Sequence, residues 1–484
     1  MPRNRLRLAP MLLAASALCA CEVGPNYHRP TAPTPTVYKR VEGWTPAHPS
    51  DAADRADWWT VFGDPTLNDL ESKVAISNQN LVAAEAAYRQ ARALVAEQRA
   101  ALWPTISGTG AASASHSGAG AGLQTGTGTV TGPSTGRGVI QNYQLELGGT
   151  WEPDVWGRIR REIENAKANA QASAADLANA RLSAQMELAA DYITLRQLDE
   201  EKRIDDDTVK AYAESLEVTR NKFKAGVAAQ SDVDQAETQL YNERAADTAL
   251  ESQRAMQEDA IAILTGVPPA SLDLPSAPWT LTPVDIPPGV PSTLLERRPD
   301  VAAAERQAAA ASANIGVAVA GYYPDITLTG SGGTDATKLA QLFTPQSFFW
   351  SLGGQAVETI FNGGLTRAQV QAAKASYDEA VANYREAVLT AFDQVEDNLS
   401  AQRVLAAEQP DLQAAVKSAD DALRVNLNEY RAGTVDYTTV VVAQAAALSA
   451  HNAELQLEAS RLTTTVDLIV ALGGGWNQSE LKDK

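Results

Sequence analysis

Phe223-Lys224-Ala225-Gly226 recurs 207 residues later as Tyr430-Arg431-Ala432-Gly433. Each tetrad closes a run of 69 residues, Gly157 to Ala225 and Gly364 to Ala432, that is rich in Ala, Glu, Gln, Leu and Arg. These are strong helix formers. Between Gly157 and Gly226 there is neither Gly nor Pro, whereas Pro410 interrupts the second run and is expected to kink or split it near mid-length. At about 1.5 Å per residue each run reaches about 100 Å. Small and apolar residues recur at spacings of three and four, through Ala172, Ala175, Asn179, Leu182, Met186, Ala189 and Ile193. Tyr377, Val381, Tyr384, Val388, Ala391 and Val395 repeat the rhythm. That is a coiled-coil seam with close helix approach. Core helices of globular domains rarely exceed about 25 residues, so length decides for the seam.

Working outward, the tetrads belong to an internal repeat. Val233 and Ala236 match Val440 and Ala443 at the same offset. Upstream, Ala83-Ala84-Glu85 matches Ala303-Ala304-Glu305, and Trp103-Pro104-Thr105-Ile106 matches Tyr323-Pro324-Asp325-Ile326, at an offset of 220. The 13-residue difference falls between the blocks, where the first copy carries the Gly, Ser and Thr-rich stretch Gly108 to Gly138. Helices are expected at Leu67 to Leu102 and Pro299 to Tyr322, and helices returning from the Gly turns at Ser231 to Leu264 and Thr438 to Leu472. Ser231 is a candidate cap for the first of these.

A second texture alternates at period two, as in Tyr143-Gln144-Leu145-Glu146-Leu147 and Ile326-Thr327-Leu328-Thr329. Strands are expected at about 104–115, 139–151, 324–333 and 347–357. Each has about the 9–11 residues that cross a bilayer when tilted. Trp103, Tyr143, Trp151, Tyr322, Tyr323 and Trp350 fall near strand ends, where aromatic girdles belong. Open sheet edges are prohibitively costly in hydrocarbon, and the smallest membrane barrels have about eight strands. Four strands per chain therefore imply a barrel shared between chains. The competing reading, a soluble four-stranded sheet capped by helices, gives the long helices no purpose.

The chain has 484 residues, 59 acidic against 40 basic, for a net charge of −19. Clustered basic residues for phosphate neutralisation are lacking, so nucleic acid is not an expected partner. Four His and two Cys, scattered, leave little for zinc or thiol chemistry, and no cofactor is expected. Gly118-Ala119-Gly120-Ala121-Gly122 opens no helix, and Asp205-Asp206-Asp207 sits in a charged helical stretch that reads as a solvated face. The chain reads as no enzyme.

Arg3, Arg5 and Arg7 precede the apolar stretch Met11 to Ala20, a secretory signal. Leu18-Cys19-Ala20-Cys21 resembles a bacterial lipobox, with Cys21 as the acylated residue after cleavage. Glu22 follows, where sorted inner-membrane lipoproteins carry Asp. From Glu22 to about Asp57, six prolines make an extended strap that could hold the anchor at some distance from the body.

Cys21-Glu22-Val23-Gly24-Pro25-Asn26-Tyr27, Trp58-Trp59, Phe62-Gly63-Asp64-Pro65, Asp154-Val155-Trp156-Gly157-Arg158, Arg297-Arg298-Pro299-Asp300-Val301 and Phe361-Asn362-Gly363-Gly364 occur in order along the chain. Together they resemble the TolC-type outer membrane factors, NodT-like lipoprotein branch, over essentially the whole mature chain. The resemblance implies a mainly α fold with a small β part. Antiparallel coiled-coil helices would form a trimeric periplasmic α-barrel, and four strands per chain a shared 12-stranded barrel. The implied layout is signal 1–20, anchored segment 21–60, first repeat 61–270, connecting segment 271–298, second repeat 299–475 and tail 476–484. The implied partners are a homotrimer, a periplasmic adaptor, an inner-membrane pump of the RND type and outer-membrane lipid.

The family's adaptor-docking tips map here to Phe223, Gly226, Val227, Ser231 and Asp232, and to Tyr430, Gly433, Thr434 and Tyr437. Family members often carry pore-facing Asp after the second tip. This chain has Thr439 and Val442 there, with Asp436 nearby, so an apolar or hydrogen-bonded closure is as open as an acidic one. The function implied is an exit duct for small molecules in tripartite efflux. Type I protein secretion, or a non-conducting envelope-spanning coiled coil, are the alternatives.

Overall fold

The computed structural model describes residues 22–35, 38–39, 57–116, 139–284 and 297–481. Cys21, the signal segment and Gly118 to Gly122 lie outside the described residues. The helices are α1 Pro65–Ser77, α2 Gln79–Ala100, α3 Arg158–Lys224, α4 Gln230–Leu264, α5 Pro299–Ala320, α6 Leu365–Ala432 and α7 Tyr437–Ala471. The strands are β1 Thr105–His116, β2 Val139–Trp151, β3 Asp325–Ala336 and β4 Phe348–Val357. Contacts divide the chain into two units. One holds residues up to Arg29, 91–170 and 308–379; the other holds 30–90, 171–307 and 380–484.

The first unit contains one antiparallel sheet in the order β1-β2-β3-β4. Its central pairing, β2 with β3, joins the two repeats, with Leu147 opposite both Gly108 and Gly332, and Gly332 opposite Trp350. Residues directly opposite share a face, and alternate residues change face. That register gathers Ile106, Leu145, Leu147, Leu328, Trp350 and Leu352 on one face, all exposed. The other face carries Ser107, Thr109, Gln144, Glu146, Thr327, Thr329 and Ser351. Gln144 Nε2 donates to Glu146 Oε2 at 2.8 Å there.

The same unit fixes the start of α3. Asp154 accepts from the amides of Ile159 and Arg160, each at 3.0 Å, capping the helix. Trp156 stacks on Tyr323 and donates to the Pro324 carbonyl at 2.9 Å. The extended strap expected from Glu22 is packed at its start and not held off from the helices there. Buried Arg161 donates to Val23 O at 3.1 Å and to Asn26 Oδ1 at 3.0 Å, and Val23 N donates to Trp156 O at 3.1 Å. Gly24, at φ 92°, lies so close to Gly316 that a Cβ on it would fall 2.5 Å from Gly316 Cα. Residues 22–26 of the strap are seated on the start of α3 and on α5, because a buried guanidinium claims their carbonyls and two glycines let the backbones touch.

The second unit holds the main core, in which Leu67, Leu70, Leu188, Tyr192, Val388, Val395, Leu462 and Val466 are buried together. Asp64 of Phe62-Gly63-Asp64-Pro65 caps α1 through Thr66 N at 2.7 Å and accepts from the Tyr192 hydroxyl at 2.7 Å. Arg196 and Arg254 both bind Asp199, at 2.7 Å each, and also hold the carbonyls of Pro275 and Leu274. The connecting segment is thereby pinned onto α3 and α4.

Two further expectations are corrected. The expected helix Leu67 to Leu102 breaks at Asn78, whose backbone is extended at ψ 122°. Its side chain accepts from Asn80 N at 2.9 Å and Leu81 N at 3.2 Å, and donates to Leu264 O at 2.9 Å. One buried amide caps α2 and satisfies the end of α4. Conversely, Pro410 does not split α6, which is continuous from Leu365 to Ala432. Pro410 is exposed, on the solvent side of the helix, where the carbonyl it frees is not shut away from water.

Asn78→Ala should lower the melting temperature more than Asn78→Asp, which keeps the cap and loses only the donor to Leu264. The loss of cap plus one buried bond is worth about 1–3 kcal/mol. Equal melting of both variants and the native protein by circular dichroism would contradict this role.

Candidate functional site

The two repeat tetrads end α3 and α6 in the same way. Gly226 N bonds to Phe223 O at 2.9 Å and Val227 N to Lys222 O at 3.0 Å. Gly433 N bonds to Tyr430 O at 3.0 Å and Thr434 N to Glu429 O at 3.0 Å. This is the Schellman closure, which needs a left-handed residue after the helix. Gly226 and Gly433 supply it at φ 75° and 82°. The same closure recurs, again 207 residues apart, at Gly266 and Gly473. There a Cβ would fall 2.1 Å from Ser77 O and 2.2 Å from Arg297 O. At Gly226 and Gly433 it would meet nothing within 4 Å. The tip glycines are thus required by the turn alone and stand in open space.

Behind the turns, four helices converge on one apolar cluster. Tyr212 and Leu216 come from α3, Val233, Ala236 and Leu240 from α4, Tyr430 from α6, and Tyr437 and Val440 from α7. Tyr430 and Tyr437 meet ring to ring at 5.3 Å. The Tyr430 hydroxyl donates to Thr219 Oγ1 at 3.1 Å, and Lys222 Nζ lies 3.8 Å above the Tyr430 ring. Lys222 also donates to the Tyr430 carbonyl. Burial pushes the phenols of Tyr212, Tyr430 and Tyr437 above their ordinary value, so all three stay neutral.

The tip residues named from sequence therefore separate into two groups. Gly226, Val227, Gly433 and Thr434 are exposed, with Phe223 half-exposed. Tyr430 and Tyr437 are 4% and 1% exposed and hold the turns from inside, so they present no side-chain surface to a partner. Ser231 is not the cap expected of it. Helix α4 starts one residue earlier, at Gln230, and Asp232 Oδ2 accepts from Ala229 N at 3.2 Å instead. In the second tip Asp436 caps α7, accepting from Thr439 N at 3.1 Å and from Thr439 Oγ1 at 2.9 Å. Asp436 and Thr439 are thereby committed to each other, while Val442 is exposed.

Sequence reasoning missed Tyr212, Thr219 and Lys222. Their only signal was heptad-like spacing on α3, with nothing to indicate that Tyr430 is the group they meet. The repeat matches Val233 with Val440 and Ala236 with Ala443 did carry information, since all four are buried at the tip.

Comparison with known proteins agrees with this architecture. The sequence profile of a family described as outer membrane efflux protein matches residues 70–267 and 290–474. The chain is 31% identical over 483 residues to the probable efflux pump outer membrane protein TtgC of Pseudomonas putida, covering 98% of this chain and 96% of that one. It is 30% identical over 473 residues to the outer membrane protein OprJ of Pseudomonas aeruginosa, covering 96% and 95%. Among solved structures, the outer-membrane channel OprN superposes with a TM-score of 0.85 at 31% identity, over 94% of this chain and 100% of that one. The CmeC outer membrane channel of Campylobacter jejuni gives 0.88 at 24% identity, over 95% and 96%, a likeness of fold alone. The chain belongs to the outer membrane efflux protein family and has the TolC-type channel fold.

Proposed function

We propose that three copies of this chain pool their sheets into one 12-stranded outer-membrane barrel and their helices into a periplasmic duct. The observation that carries this is the sheet itself. One face is apolar and exposed, the other is lined with hydroxyls and amides, and the outer edges of β1 and β4 have no partner strand among the described residues. Each large apolar side chain left in water rather than hydrocarbon costs about 1.5–3 kcal/mol. Each unpaired backbone group in hydrocarbon costs several kcal/mol. Hydrocarbon against the apolar face removes the first cost, and pairing β1 of one copy with β4 of the next removes the second.

On this reading the exposed tip turns dock a periplasmic adaptor, which couples the duct to an inner-membrane pump of the RND type. Phe223, Gly226, Val227, Gly433 and Thr434 form that surface; Tyr430 and Tyr437 shape it from behind. Relatives are described as toluene, antibiotic and solvent efflux proteins and as pyoverdine exporters. Cargo of this chain is accordingly small apolar or amphiphilic molecules. Cys21 carries the lipid anchor. The seating of Glu22 to Asn26 on Trp156 and Arg161, a few residues after β2 ends at Trp151, supports an acyl group at the membrane edge of the sheet.

Purified protein in detergent should run as a trimer and give discrete conductance steps in planar bilayers. A water-soluble monomer without detergent is the outcome that sinks the reading. Cys21→Ser should abolish fatty-acid labelling; persisting label would remove the anchor assignment. Gly226→Leu with Gly433→Leu should stop adaptor cross-linking while trimers persist, since each position costs about 1–2 kcal/mol of left-handed strain and adds bulk into open space. Val227→Glu, which carries no such strain, should weaken cross-linking as well. Unchanged cross-linking in both would place docking elsewhere.

A further inference from the structure

Above the tip cluster, two carboxyl groups meet across the α3–α4 seam. Asp205 on α3 is 5% exposed and Glu243 on α4 is 8% exposed. Asp205 stands 21 residues before the Gly226 turn and Glu243 stands 17 after it. Both are several helical turns from the tip, and contacts across the seam on either side of them, Lys202 Nζ to Asp247 at 2.6 Å and Gln239 Nε2 to the Tyr212 hydroxyl at 3.1 Å, set them level. Asp205 Oδ1 and Glu243 Oε1 are buried and find no hydrogen-bond partner among the described residues. Two facing carboxylates have acceptors only, so the arrangement is satisfied when one of them carries a proton and donates it to the other.

The surroundings do not supply a neutralising cation. On α3, Glu201 and Asp206 add negative charge, and on α4 Asp247 does the same. Lys202 is the nearest ammonium and only partly offsets this, being engaged by Asp247 at 2.6 Å and Asp206 at 3.2 Å. Toward α6 and α7, the groove beside Tyr212 carries Arg203, Asp207, Asp420 and His451. Arg203 is held by Glu200 at 2.6 Å, and His451 by Asp420 at 3.0 Å. Burial first, and then the neighbouring acids, raise Asp205 from 3.8 to about 6. Burial, and then Asp205, raise Glu243 from 4.5 to about 7.

We propose that Asp205 and Glu243 form a proton-operated staple between α3 and α4, closed while they share one proton and sprung when the proton leaves to solvent. This rests on the reading of the tip as the closing end of a duct. Release turns the carboxylic acid of the pair into a second carboxylate, and two like charges in a buried seam drive the helices apart. The sign follows from the direction of the shifts. The closed seam holds its proton more tightly than separated helices do, so its advantage is complete below about pH 4. It is lost as pH rises through about 7 and is constant above that. One proton moves the open-to-closed ratio by at most about tenfold per pH unit across that window.

The test uses the full-length protein reconstituted in planar bilayers, with open probability followed from pH 5 to pH 8. The native channel should open severalfold more at pH 8. Glu243→Gln keeps a donor for Asp205 and removes the second charge, so it should open far less between pH 5 and pH 8 than the native channel. Glu214→Gln, exposed and outside both the pair and its charged neighbours, should follow the native profile. A native-like profile in Glu243→Gln, or a flat native profile, overturns the staple. In parallel, spin labels at Lys210→Cys and Asn242→Cys should report a wider α3–α4 spacing at pH 8 than at pH 5 in the otherwise native chain. They should report far less change with Glu243→Gln added. A spacing insensitive to pH overturns the staple even if the protein never conducts, whereas a silent bilayer with a pH-dependent spacing counts against the duct and not against the pair.

Discussion

Backbone amides and carbonyls that face hydrocarbon must be paired, and among the described residues the sheet's two outer strand edges have no partner strand. The rest of the architecture answers to that constraint. The repeat provides two hairpins, and β2 pairs with β3 across the repeat boundary, so each copy contributes a continuous four-stranded plank. A plank with one apolar face and two open edges is stable only when its neighbours are further planks. Helix starts close to the sheet are then capped from within the chain, as Asp154 does for α3, because no backbone group can be left to an uncertain partner.

Much of this was legible in the sequence because the signals are local. Long Gly-free runs of helix formers specify α3 and α6, and period-two alternation specifies the strands, without reference to anything distant. Where reading failed, a distant partner decided. Asn78 looks like any polar residue in a helical stretch until Leu264 brings it a carbonyl to bind. The strap from Glu22 looks free because prolines forbid helix, but Arg161 and Gly316 lie far along the sequence. Pro410 does not end α6, since an exposed position tolerates its missing amide. Asp205-Asp206-Asp207 was read as one solvated face, yet neighbours on a helix point about 100° apart. Asp205 is buried in the seam, while Asp206 and Asp207 stay outside with Lys202, Arg203 and Lys210.

The two tips show why a repeat is a scaffold and not a symmetry of function. Phe223 and Tyr430 occupy equivalent positions, yet one is half-exposed and the other is locked under Lys222 and Thr219. The second tip has thus spent its aromatic on the cluster that holds four helices together, and the first presents its own outward. Each turn has its backbone held by two hydrogen bonds and its glycine uncrowded by any described residue.

The net charge of −19 also acquires a location. Part of it sits on solvated helix faces, where ion pairs such as Arg203–Asp207 and Lys210–Asp207 are worth little and water screens the remainder. Another part is not expressed as charge at neutral pH. Burial raises Glu71 to about 9. An acid sealed in an apolar core, as Glu71 is, stays protonated and behaves as a polar filler. An acid in a seam between two helices is different, because separation of the helices would hydrate it and return its ordinary acidity. Formal charge counted from sequence therefore overstates the field around this chain and hides the few groups whose ionisation depends on its shape.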